Sequence, residues 1–182
     1  MIKTLILILL CFCSGFSFAA EPEHRPSGEA YPDPEIKVVF PAEIASFRKQ
    51  EVIRSYNPLI GTAVRYADDN GNCADIYIYT SWEENGTFEQ HFQSAKKAVL
   101  DLPTKGFSVK KVSLLKDLEI QFTPENTGKR AEFLITFSED DSQVFSFLQL
   151  FLYREKIIKI RLSCDEKSAN EFFGKVQKLF FP

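Results

Sequence analysis

The stretch V-F-S-F-L-Q-L-F-L-Y at residues 144–153 is apolar on both sides when read with period two. Val144, Leu148, Leu150 and Leu152 share one side with Ser146, whereas Phe145, Phe147, Phe151 and Tyr153 share the other with Gln149. A strand satisfies two apolar faces only where something covers each side of its sheet. The segment therefore reads as a central strand in a layered α+β domain.

Its neighbours supply the remaining layers. Downstream, Ile158, Ile160, Leu162 and Cys164 alternate with Lys159 and Arg161, predicting a strand over 157–164. Upstream, strands are expected over 109–115, 118–123 and 131–138, with polar turns at Lys116-Asp117, 124–129 and 139–142. Turns this short force an antiparallel meander. Earlier strands are read at 36–40, 47–56, 59–67 and 74–80, the last two joined by the hairpin loop Asp68-Asp69-Asn70-Gly71-Asn72.

Two helices complete the set. Thr87-Phe88-Glu89-Gln90 has the form of a capping box, followed by the stripe Phe88, Phe92, Ala95, Val99 and Leu102 and ended by Pro103. A second box at Ser168-Ala169-Asn170-Glu171 opens a helix with Phe172, Phe173, Val176, Leu179 and Phe180 on its apolar face. The reading is α+β: an antiparallel meander sheet with helices packed on both faces. The alternative is a cystatin-like or NTF2-like curved sheet wrapped on a helix.

Residues 1–20 carry the three parts of a secretory signal: Lys3, an apolar run from Leu5 to Phe12, and small residues before a cut near Ala19 or Ala20. That run is too short to anchor a membrane, so a periplasmic or secreted domain without a membrane span is expected. Residues 21–35 hold Pro22, Pro26, Pro32 and Pro34 and few apolar side chains, and read as a disordered tether. Residues 36–182 then form a single domain. Loss of Lys3 with the leader lowers the formal charge from −3 to −4, which gives no general attraction to nucleic acid. Cys73 and Cys164 follow the leader; in an oxidising compartment such a pair suggests one disulfide, with two separate buried thiols as the alternative.

The order of elements over 36–181 resembles the PsbP-like superfamily, whose best-known members are extrinsic subunits of photosystem II. Phe40-Pro41 followed by Phe47-Arg48, then Gly61, Tyr66 and Tyr77-Ile78-Tyr79, carry the resemblance. It implies accessory or partner-binding roles and transfers no catalytic residue.

Candidate chemistry is sparse. His91 lacks a nucleophile elbow or a Cys-His signature and reads as a boundary histidine. The Asp68 loop, with Asp75 beyond it, lacks EF-hand spacing, and Glu139-Asp140-Asp141 reads as a turn. Glu83-Glu84 reads as an exposed loop, and Asn85-Gly86-Thr87 as a helix start rather than a glycosylation site. No catalytic residue, metal ligand or cofactor is assigned. Trp82 with Tyr77 and Tyr79 would make an aromatic binding platform if exposed, or a core anchor if covered. Lys159 and Arg161, facing outward, make a basic edge that would contact a partner or discourage sheet-to-sheet aggregation. The functional expectation is a non-enzymatic accessory domain binding another envelope protein. A carrier of a small apolar ligand or lipid is the alternative, and a hydrolase the third reading.

Overall fold

The computed structural model describes the backbone of residues 23–25 and, with side chains, residues 28–55, 61–80, 86–105 and 107–182. The leader and its cut site lie outside these. The described strands are Glu23–Arg25 (β1), Tyr31–Pro32 (β2), Val39–Phe40 (β3), Glu43–Ile44 (β4), Phe47–Arg54 (β5), Thr62–Ala67 (β6) and Cys73–Thr80 (β7). Helix Phe88–Leu100 (α1) and a 3-10 turn at Leu102–Thr104 follow. Then come Val109–Thr123 (β8), Asn126–Phe137 (β9), Gln143–Tyr153 (β10), Lys156–Ser163 (β11) and helix Glu166–Phe180 (α2).

The main sheet runs β1-β5-β6-β7-β11-β10-β9-β8, with β4 paired to β5, and every described pairing is antiparallel. β10 lies inside it, between β9 and β11. Phe147 and Phe151 enter the core beneath α2, with Phe173 6.1 Å from Phe147 and Phe180 5.1 Å from Phe151. Leu148 and Leu150 enter the separate core beneath α1, with Phe92, Val99 and Phe133. Each fully buried Phe or Leu contributes about 2 to 3 kcal/mol, so a residue shift in β10, which exchanges its two faces, would forfeit both cores. The curved-sheet alternative is not what forms.

The two polar exceptions in β10 have local explanations. Gln149 Oε1 accepts from Arg130 Nε at 2.9 Å, and that guanidinium lies 4.0 Å from the Phe173 ring. Ser146 is in register with Ser163. Gly128, opposite Phe151, lets chains meet closely: a Cβ there would lie 2.4 Å from the Leu150 carbonyl oxygen and 2.6 Å from the Phe122 ring. Only the strand's ends reach solvent, at Phe145 and Leu152.

Several expectations need correction. Residues 31–35 are not a tether. β2 pairs with β3, Tyr31 stacks on Phe40, Asp33 accepts from the N–H groups of Glu35 and Ile36, and Glu35 reaches Lys156 at 2.6 Å. β1 likewise pairs with β5. A count of apolar residues misses a segment held by one ring, one turn and the ion pairs of Glu35 with Lys156 and Arg54.

Lys116-Asp117 is not a turn. β8 runs through it, a register shift between Leu114 and Lys116 absorbs the misfit, and Lys116 reaches Glu132 at 2.9 Å. The second helix begins three residues earlier than Ser168 would place it. Asp165 is the N-cap, accepting from the Ser168 N–H at 3.0 Å and from its hydroxyl at 2.6 Å. The first capping box forms as read, with Thr87 and Gln90 exchanging hydrogen bonds.

Candidate functional site: a cationic and aromatic patch on the α1 face

Alternation along β7 puts Cys73, Asp75, Tyr77 and Tyr79 on the face that carries α1, while Ala74, Ile76 and Ile78 point to the α2 core. β11 is in register with it, Lys159 opposite Tyr77 and Arg161 opposite Asp75. β6 adds Arg65, also opposite Asp75. Since α1 packs with Ile157, Leu148, Leu150 and the β9 residues, its apolar footprint lies toward the β9–β10 side of this cluster.

Four of the five residues read as a binding surface therefore come together: Tyr77, Tyr79, Lys159 and Arg161. Trp82, Glu83, Glu84 and Asn85 lie outside the described residues. β11 is no edge, however, because it sits between β7 and β10. The outward-looking alternation of Lys159 and Arg161 reflects a polar face inside the sheet, and the protective edge reading does not hold.

The floor of the patch is an ion-pair network that sequence reading missed. Arg65 Nε donates to Asp75 Oδ1 at 2.8 Å, Arg65 Nη1 lies 3.4 Å from Glu51 Oε2, and the Tyr77 hydroxyl donates to Asp75 Oδ2 at 3.2 Å. Asp75 is 1% exposed. Burial pushes its carboxyl above the ordinary value, and Arg65, Tyr77 and Arg161 oppose that rise. The signal was present: Asp75 shares its parity with Tyr77 and Tyr79, and Arg65 interrupts the alanines of β6. Grouping Asp75 with the Asp68 loop concealed it.

Lys159 Nζ lies 4.2 Å from the Tyr77 ring centroid and 5.7 Å from that of Tyr79. Burial, and then the neighbouring Arg161 charge, lower its ammonium to about 8. His91 on α1 approaches Tyr79 with ring centroids 5.9 Å apart, and desolvation followed by the Lys159 charge lowers its imidazole. Its Nε2 is buried without a hydrogen-bond partner, so the contact that a nucleophile–base pair requires is not made there.

Cys73 and Cys164 are not bridged to each other, because Cys164 is a free, buried thiol. Register gives the reason: Ser163 stands opposite Cys73, so Cys164 turns to the α2 core instead. The Asp68 carboxylate serves its own loop, accepting from the N–H groups of Asn70 and Asn72. Asp141 pairs with Lys110 at 2.7 Å. Among the described residues no helix is long and apolar enough to cross a membrane.

No family model and no curated protein matches this sequence. Among solved structures the chain is similar to cyanobacterial PsbP (CyanoP) from Synechocystis sp. PCC 6803, determined in solution. The TM-score is 0.50 at 12% identity, over 91% of this chain and 92% of that one. The PsbP-like fold expected from element order is thus the fold observed.

Proposed function

We propose that the chain is an exported, non-enzymatic accessory domain that binds another protein of the cell envelope. In this reading a leader ending near Ala19 or Ala20 is removed and the domain acts in the periplasm or outside the cell. The observation that carries the binding reading is the patch of Tyr77, Tyr79, Lys159 and Arg161, where two tyrosines and an arginine, types favoured at protein interfaces, share one face with a lysine. The PsbP-like fold, shared with cyanobacterial PsbP, supports an accessory role by analogy of fold.

The test has two parts. Expression from the complete gene, followed by cell fractionation and N-terminal sequencing, should yield envelope or secreted protein beginning after Ala19 or Ala20; cytoplasmic, uncut protein would refute export. Affinity purification from the native envelope should then retain a discrete protein that rebinds saturably once purified. Recovery of lipid alone, or of no partner, would overturn the binding reading.

A further inference from the structure

The strands from β5 to β11 and β9 place five basic side chains on the α1 face. Arg48 reaches Asp69 at 3.1 Å, Arg65 reaches Asp75 at 2.8 Å, and Lys129 is paired with Glu89. Lys159 and Arg161 stand apart: among the described residues neither meets a carboxylate within 4.0 Å. The Nε of Arg161 is buried and has no hydrogen-bond partner. Buried donors in native proteins are nearly always satisfied, and an Nε–H left without an acceptor is costly.

Lys159 and Arg161 are two residues apart on one strand, so their side chains leave the same face about 7 Å from each other. One small anion can meet both. Among the described residues the charges on these strands are Arg65, Lys159 and Arg161 against Asp75 and Glu51, an excess of one positive charge. A monoanion balances that excess. A dianionic phosphate would overshoot it beside the buried Asp75 carboxylate.

We propose that Lys159 and Arg161 form a receptor for a single carboxylate carried on a peptide segment of a partner, with Tyr77 and Tyr79 as its aromatic walls. This rests on the accessory-protein reading and names the chemistry of its contact. The chain leaves the site otherwise complete: Asp75 is occupied by Arg65 and Tyr77, and Lys159 is positioned over two rings. Burial and the Arg161 charge lower the ammonium of Lys159 more than the nearby Asp75 carboxylate, already bonded to Arg65 and Tyr77, raises it. Among the described residues, Asp75, Arg161, Tyr77 and Tyr79 on the sheet and His91 on α1 are the titratable or charged groups that face it.

The experiment is an NMR titration of the mature chain with acetate, and with acetamide and inorganic phosphate as comparisons. Acetate should give saturable shifts centred on Lys159 and Arg161 and raise the Lys159 titration midpoint by about one unit, a tenfold change in proton affinity. Acetamide should do neither, and phosphate should bind more weakly than acetate.

Arg161→Gln and Lys159→Gln, each checked for a folded spectrum, should weaken acetate binding at least fivefold. Should one variant fail to fold, the other decides. A Glu peptide with blocked ends, or a peptide with a free C-terminus, should reproduce the acetate response. An equal response to acetamide, tighter phosphate binding, unaltered acetate binding in the folded variants, or silence from both peptides would overturn the site. A partner that binds wild type and both variants equally would overturn it too, while leaving the accessory reading standing. Acetate binding without any partner would do the reverse.

Discussion

Lys159 lies 4.2 Å from the ring of Tyr77, the residue directly across from it between β11 and β7. The ring offers its ammonium a π-face, but burial and Arg161 outweigh that gain and lower its proton affinity. Lys159→Met, which keeps length without charge, should therefore stabilise the fold by about 1 to 3 kcal/mol at pH 7. The folded ammonium titrates near 8 and the unfolded one near 10.5, so in that window the unfolded chain holds more protons. Wild-type stability gains from this residue as pH rises from about 8 to 10.5, and the advantage of the variant should shrink over the same interval. Urea midpoints measured across pH 7 to 10.5 check both the sign and the window.

Arg65 and Asp75 should respond unequally to substitution. Arg65→Met strands a buried carboxylate and should cost about 3 to 5 kcal/mol, whereas Asp75→Asn keeps a hydrogen-bonding group against Tyr77 and leaves Arg65 its contact with Glu51. Equal losses in chemical denaturation would show that the pair acts only by packing.

Gly128→Ala tests the close approach of β9 to β10. The added methyl would press on the Leu150 carbonyl oxygen and on Phe122, whose ring lies 4.9 Å from that of Phe151. A loss of about 1 to 3 kcal/mol is expected by calorimetry, despite the better intrinsic propensity of alanine.

Helix α2 should be more sensitive at Asp165 than at Ser168. Asp165→Ala removes the cap of the backbone and should cost about 1 kcal/mol, while Ser168→Ala retains the backbone bond to Asp165 and should cost less. The reverse ranking in urea denaturation would move the helix start back to Ser168.

Cys164 should be inert in the folded protein. Burial pushes its thiol up to about 12, and its Sγ lies 3.2 Å from the Asp165 carbonyl oxygen. With peptide mapping, alkylation of Cys164 in native buffer should be at least tenfold slower than in denaturant. Rapid native labelling would show that the α2 core opens.

Local patterns carried most of the architecture. The period-two faces of β10, the Thr87 box and the Phe stripe of α2 were legible because side-chain direction alternates or rotates with backbone geometry alone. The break at Lys116-Asp117 was misleading because a bulge lets one strand absorb what looks like a turn, and the tether was misleading because Tyr31 and Glu35 find partners that the sequence around them does not contain.

Residue pattern alone requires a two-faced antiparallel sheet with a helix for each face, since burial of alternating Phe and Leu allows little else. Tertiary structure alone decided that β11 lies inside the sheet, that Cys73 and Cys164 point to opposite sides, and that Arg65 and Asp75 neutralise each other beneath Lys159 and Arg161. These depend on strand order and register across long chain separations, and electrostatic pairing is a property of distance in space, which no spacing along the chain encodes.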